Sequence, residues 1–529
     1  MNLARALGSV GGLTLVSRVL ALVRDTLQAS FVGAGFASDA FLVAFRLPNM
    51  FRALFAEGAF SAAFIPLFNA KAGEGGRPAA VDFAERALAL LFPVLFVFTL
   101  ALMVAAWPVT YALSGGFDDP SPAQFAYAVT LSRITLPYLL LISLVSLLGG
   151  ILNSLERYWV NAAAPILLNI AMITGLALFH GDNAYETAWV QALSVTAGGV
   201  LQLGFLIWGC ARAGVMLRLR LPRIDAEMKR LFALILPAAA GAGATQINLL
   251  VSTALAGSLL PAGAISTIYY ADRLNQLPLG LIGIGLGTIL LPTLSRLLAE
   301  ARDAEAMATQ NRGIELALFL TLPATVALVV VAEPIVTGLF QHGRFDADDS
   351  RATGLALAAF AMGLPAYVLI KVLTPAYYAR QDTRTPVRYA MVAIGVNIAL
   401  NLILIPALGD RLGYIGPPLA TAIAALVNVT LLARTLAKRG QLVPDAQLAR
   451  RAPRLLLAAL LMGTALWFGA GPALPWLTGS LVERGTALAL LVGAGAAVYA
   501  LACFATRAYR PADLRALRRA PPAPEEPAA

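Results

Sequence analysis

The stretch SRVLALVRDTLQASFVGAGFASDAFLVAFRLPNMFRALFAEGAF, residues 17–60, is apolar enough for a lipid bilayer, yet it carries Arg18, Arg24, Asp25, Asp39, Arg46, Arg52 and Glu57. Arg133, Arg273, Lys371 and Asp272 fall inside other apolar runs. A charge at the bilayer centre costs about 2.5–3.5 kcal/mol on insertion scales, so such groups face a bundle interior, a watery cavity or an opposite charge. Two chemistries fit. Adjacent Arg24–Asp25 and Asp272–Arg273, and Asp39 seven residues before Arg46 on one helical face, could pair and hold helices together. Seven cations against four acids leave a surplus that pairing cannot absorb. The alternative is a cationic cavity for an anionic substrate. Arginine suits phosphate because its planar fork binds two oxygens at once.

The elements that position these charges are membrane helices. The 529 residues are 59% hydrophobic and 13% charged, where a soluble protein carries roughly 25% charged residues. About 14 apolar spans of bilayer length recur along the chain, with approximate cores at 8–32, 38–68, 84–112, 126–151, 160–180, 187–210, 230–258, 264–294, 312–340, 352–378, 387–408, 414–436, 453–472 and 485–505. The N-terminus reads as the first of them and not as a cleavable signal peptide. The connecting loops alternate in charge: one set, with the N-terminus, holds about 27 Lys and Arg, the other about four. The positive-inside rule makes the basic set cytoplasmic, with both termini on that side. That topology also accounts for the net charge of +10, so no nucleic-acid partner is expected. The tail after residue 510 is basic, then Pro- and Glu-rich.

An internal repeat runs through the chain. Arg46 matches Arg273, Pro66 matches Pro292, Pro137 matches Pro365 and Asn169 matches Asn397, all 226 to 228 positions apart. The period holds six spans, so both copies have the same orientation, with a pseudo-two-fold axis along the membrane normal. The expected fold is an all-α polytopic protein of about 14 helices. Residues 1–215 form an N-terminal lobe and 216–440 a C-terminal lobe, around a central cleft. Residues 441–510 form two added helices, and 511–529 a cytoplasmic tail. Most in-span charges come from spans 1 and 2 and from span 8, the repeat counterpart of span 2, so they should converge on the cleft. Pro48 should kink RLPNMFR. Gly33, Gly35 and Gly58, and Gly280, Gly283, Gly285 and Gly287, serve close helix packing or bending.

Other chemistries lack their motifs. There is no GxxxxGK[ST] loop for ATP, no HExxH and no GxSxG nucleophile. Cys210 and Cys503 are far apart, and His180 and His342 lie near predicted external loops. The reading is a transporter, not an enzyme, with no cofactor and no metal site. It would be driven by an ion gradient, the membrane potential or substrate consumption on the far side.

Three stretches carry a family resemblance. GLTLVSRVLALVRDTLQASFVGAGFASDAFLVAFRLPNMFRALFAEGAFSAAFIPLF resembles the N-terminal signature of the MurJ (MviN) lipid II flippases, of the multidrug/oligosaccharidyl-lipid/polysaccharide exporter superfamily. YYADRLNQLPLGLIGIGLGTILLPTLS resembles their span 8, and YYARQDTRTPVR the loop after span 10. The resemblance implies 14 helices in two six-helix lobes plus a final pair. It also implies transport of lipid II, the undecaprenyl-diphosphate-linked peptidoglycan precursor, from the cytoplasmic to the periplasmic leaflet of the bacterial inner membrane. The residues it carries over to substrate binding are Arg18, Arg24, Asp39, Arg52, Glu57, Asp272 and Arg273. Gln276 stands where the family has an acid, and no membrane acid in spans 7, 11 or 12 offers a sodium site. On this reading Arg24, Arg52 and Arg273 hold the diphosphate, Arg18 supports them, and Asp39 and Glu57 orient the arginines or bind the headgroup. The prenyl tail lies in an apolar groove at spans 13 and 14. The expected partners are lipid II, membrane lipids and, as a further candidate, the cell-wall synthesis machinery, and the expected state is a monomer. The alternatives are a flippase for another polyprenyl-diphosphate glycan and a cation-coupled multidrug exporter.

Overall fold

The computed structural model describes residues 3–56 and 59–509. Glu57, Gly58 and the tail 510–529 lie outside the described residues. Within them the chain forms α1 (Leu3–Val32), α2 (Phe36–Ala56), α3 (Ala59–Val104), α4 (Ala106–Ser114), α5 (Pro122–Thr135), α6 (Pro137–Ser154), α7 (Tyr158–Leu178), α8 (Ala184–Arg212) and α9 (Ala226–Leu259). It continues with α10 (Ala264–Ala299), α11 (Asp303–Val330), α12 (Ala332–Phe340), α13 (Ala347–Ala361), α14 (Leu364–Tyr378), α15 (Arg384–Leu412), α16 (Gly416–Lys438), α17 (Ala446–Leu477) and α18 (Leu481–Ala505). No strand occurs among the described residues. Eleven helical segments are long and apolar enough to cross a membrane. The charge-bearing α1 and α2 are not among them, and α9 contributes only the shorter apolar piece Gln246–Leu259.

The repeat is written into the element boundaries. α4 and α12 are both nine residues long and start 226 positions apart. α6 and α14 each begin with a proline in the first turn, Pro137 and Pro365, after a break from the preceding helix. Proline lacks an N–H and fixes φ, so it fits a helix start and interrupts the ladder before it.

α2 runs on through Pro48. Proline still frees the carbonyl four residues back, here that of Ala44, and the buried Thr135 hydroxyl donates to it at 2.8 Å. Thr135→Val should therefore lower stability by about 1–3 kcal/mol, the cost of a buried unsatisfied acceptor, read from denaturant unfolding of the purified protein. The real break lies further on, at Gly75 and Gly76 inside α3. Gly76 has φ +68° and ψ −169°, which separates the end of the expected second span from the start of the third.

The chain divides into two compact units. The first holds Met1–Thr267, Phe340–Asp349 and Asn401–Tyr414. The second holds Ile268–Leu339, Ser350–Leu400 and Ile415–Ala529. The first unit ends at Thr267, and within it α9 packs on α3 and α4. Two features tie it there. The carbonyls of Ser114 and Ala254 approach Gly257 and Gly115 too closely for any side chain. Ion pairs then join Arg86 to Asp225 at 2.6 Å and Lys71 to Glu227 at 2.6 Å.

In the second unit Leu286, Leu290, Leu294, Val372 and Leu432 form one apolar cluster. A second cluster joins α11, α17 and α18 through Leu455, Met462, Leu466 and Leu491. Glu315 of α11, 3% exposed, accepts from Arg312, Arg451, Gln447 and the Tyr509 hydroxyl, which fastens α17 and the end of the described chain to α11. In the 379–383 loop, Asp382 accepts from Arg439 at 2.8 Å and from the Thr385 hydroxyl at 2.7 Å. The Arg439 bond, then the Thr385 bonds, lower its pKa from 3.8 to about 2. A depressed acid stabilises the fold above its unfolded pKa and loses that contribution as pH falls through the folded value. This loop should be insensitive to pH from 5 to 8 and loosen only between about pH 4 and pH 2, as hydrogen exchange at 379–385 would report.

Candidate functional site

In the first unit, Arg24 of α1 is 6% exposed and Asp25 is 3% exposed. Arg24 Nη2 lies 2.6 Å from Asp25 Oδ1, and Nε donates to the same oxygen at 3.0 Å. Its Nη1 donates to Asn169 Oδ1 on α7 at 3.0 Å. Asn169 Nδ2 in turn donates to the Ser17 carbonyl at 3.0 Å. The guanidinium is thus held by its own helix and by α7, which fixes its orientation. Asn169 was legible only as a repeat marker. Its counterpart Asn397 also spends its amide inside its own unit, donating to Thr421 Oγ1 at 3.2 Å.

Arg52 is half-buried at the end of α2, with Nε donating to Asn49 Oδ1 at 2.9 Å. Arg18 is exposed on α1, two turns before Arg24. Arg46, not carried into the site, bonds Thr253 Oγ1 of α9 at 2.5 Å. The pairing of Asp39 with Arg46 suggested by their spacing is replaced by different bonds.

Asp39 is 2% exposed and reaches the N-terminus of α10, where Oδ2 accepts from the Gly263 N–H and Oδ1 from the Ser266 N–H, both at 2.7 Å. A carboxylate at a helix start satisfies orphan N–H donors and meets the positive end of the macrodipole. The surrounding loops are equally close. Gly33 has φ +78°, and a Cβ there would sit 2.8 Å from the Arg344 carbonyl oxygen. A Cβ on Gly263 would sit 2.6 Å from the Ala34 carbonyl oxygen. Arg344 N donates to the Ser30 carbonyl at 2.8 Å, and its Nη2 to the Asp182 carbonyl at 2.7 Å. Loops 33–35, 261–263 and 341–346 are therefore latched by close backbone contacts beside Asp39, and the Arg344 side chain ties in loop 179–183. Sequence reasoning could not see this role, because the donors lie 224 and 227 residues away.

In the second unit, Asp272 and Arg273 occupy α10. Arg273 sits 4.8 Å over the Tyr269 ring, a cation–π contact that fixes its side chain. The Gln276 amide donates to Asp272 Oδ2, so the residue in the family's acid position serves the aspartate one turn away. Tyr367 is carried by α14. One turn further, Lys371 lies against Gly283 of α10, where a Cβ would come within 2.8 Å of Lys371 Cδ. Gly283 thus makes room for a lysine stem. Among the described residues no group of three or more His, Cys, Asp or Glu is arranged to hold a metal ion.

The chain matches the family model described as lipid II flippase MurJ over residues 28–486. The probable lipid II flippase MurJ of Rhizobium tropici is 42% identical over 510 residues, 95% of this chain and 94% of that protein. Lipid II flippase MurJ of Burkholderia cenocepacia is 38% identical over 469 residues, 87% and 89% of the two chains. Among solved structures, a lipid II flippase MurJ in an inward closed conformation has TM-score 0.75 at 23% identity, covering 96% of this chain and 99% of that one. An inward-facing multidrug resistance MATE transporter of the MOP superfamily follows at TM-score 0.65 and 15% identity, covering 80% and 96%, a likeness of fold. With a family match across most of its length and arginines held in place along apolar helices, this chain belongs to the lipid II flippase MurJ family.

Proposed function

We propose that this chain is a transporter that moves lipid II across the bacterial inner membrane by alternating access, from the cytoplasmic to the periplasmic leaflet, with both termini cytoplasmic. The observation that carries the reading is the surplus of in-span arginine, above all the buried Arg24 clamped by Asp25 and Asn169. Arg24, Arg52 and Arg273 hold the diphosphate and Arg18 supports them. Asp39 acts as a latch and not as a headgroup contact. Lys371, beside Gly283, joins the substrate cations as a point charge. The multidrug reading fits less well, because an excess of cations repels cationic drugs.

The prenyl tail is assigned to the apolar groove of about 320 Å³ between α17 and α18, lined by Leu466, Gly469, Trp476, Leu491, Gly495 and Val498. Gly495→Phe should slow flipping of the long-chain substrate about tenfold and leave a short-prenyl analogue unaffected. Equal rates for both substrates would remove the tail from this groove. The protein works as a monomer, and an inside-negative potential acts on the cavity charges with about 2.3 kcal/mol per charge per 100 mV fully crossed. The test of the whole reading is rescue of cells depleted of their own lipid II flippase, with external lipid II measured directly. Absence of rescue by a correctly inserted chain transfers the proposal to another polyprenyl-diphosphate glycan.

A further inference from the structure

Arg133, one of the seven in-span cations, takes no part in the site above. It lies in α5, three turns from that helix's start at Pro122, and is exposed. It has no hydrogen-bond or ion-pair partner among the described residues. A helical side chain leans toward its helix N-terminus, so Arg133 reaches back along α5 over Thr130 and Ala126. There it borders a cavity of about 580 Å³ between α4 and α5. One wall is aromatic: Trp107 stacks on Tyr111 at 5.5 Å, and Phe125 lies 5.4 Å from Trp107. One end, outer in the topology proposed above, is bordered by the 115–121 loop through Gly116 and Pro120, and that loop carries the exposed Asp118 and Asp119.

From Arg133 toward the 115–121 loop the cavity thus offers a cation and a greasy, aromatic wall, and the bordering loop adds two exposed carboxylates outside the lining. An aromatic belt marks the membrane–water interface, and a basic side chain that snorkels toward it meets phosphates. A purely anionic headgroup would face repulsion from the two aspartates, whereas a zwitterion with an outer amine would be attracted by them. We propose that this cavity binds one amine-bearing zwitterionic phospholipid of the outer leaflet. The Arg133 guanidinium takes its phosphate, Asp118 and Asp119 face its ammonium, and its acyl chains run down the Trp107–Tyr111–Phe125 wall. The ligand is a structural or regulatory lipid, distinct from the transported substrate.

The test uses the full chain in nanodiscs of equal phosphatidylethanolamine and phosphatidylglycerol, with lipids retained after detergent extraction counted by native mass spectrometry. The native chain should retain one phosphatidylethanolamine in preference to phosphatidylglycerol. Arg133→Gln should reduce its occupancy at least tenfold. Ala126→Trp, which fills the cavity and keeps the charge, should do the same, and thermal unfolding of both variants should match the native chain. Wild-type occupancy in both variants, retention without headgroup preference, or retention of a prenyl diphosphate in place of a glycerophospholipid would each overturn the proposal.

Discussion

Cells that depend on an Arg24→Ala variant should fail to expose lipid II, with flipping reduced by about 30- to 3,000-fold. The figure follows from the 2–5 kcal/mol cost of truncating one partner of a buried hydrogen-bonded charge pair, at 1.4 kcal/mol per tenfold. Arg24→Lys should fail as well, because an ammonium cannot reproduce the planar fork that bonds Asp25 and Asn169 together. Lost function alone would not separate a substrate ligand from a structural pair, since removing Arg24 takes an ion-pair partner from the buried Asp25. The double variant Arg24→Ala/Asp25→Asn removes that penalty. It should regain most of the lost stability, measured by thermal unfolding, while flipping stays lost. If the double variant flips at the native rate, Arg24 is a helix tie and the diphosphate is held elsewhere.

The second large effect concerns Asp39. Its carboxylate accepts two backbone N–H bonds at the start of α10, and bonds to charged groups contribute about 1.5–3 kcal/mol each. Asp39→Ala should weaken the latch around it by about 3 kcal/mol, enough to move a two-state equilibrium more than a hundredfold. Both native cysteines are buried, so a single Ala34→Cys reporter has little background. Labelling of that cysteine by a membrane-impermeant thiol reagent from outside should rise at least tenfold when Asp39 is alanine. Unchanged labelling would mean that the loops hold without Asp39 and that the residue returns to the list of headgroup contacts.

Much of this arrangement was legible in the sequence, for reasons that differ from residue to residue. Apolar runs and loop charge depend on local composition, so helices and their approximate edges could be read directly. The repeat could be read because four residues recur at one spacing, and it singled out Asn169, although its service to Arg24 needed coordinates. The latch was illegible because a helix N-terminus advertises no partner, and the acid that caps it comes from another helix 224 positions away. Pro48 was readable as a defect but not as a repaired one, since Thr135 supplies the missing bond from α5. Which helices α9 touches was also illegible, because hydropathy does not encode long-range packing.

Glu315 has a consequence for how the protein is made. Its neighbour Arg312 is present as soon as α11 is synthesised, but Arg451 and Tyr509 follow 136 and 194 residues later. At roughly 5–20 residues per second, a ribosome needs on the order of ten to forty seconds to deliver them. During that interval the growing chain holds a carboxylate destined for burial with only one of its final partners, and α11 has no α17 yet to dock beside it. Quality-control proteases that patrol incomplete membrane bundles have their opening there, and it closes only when Tyr509 has emerged.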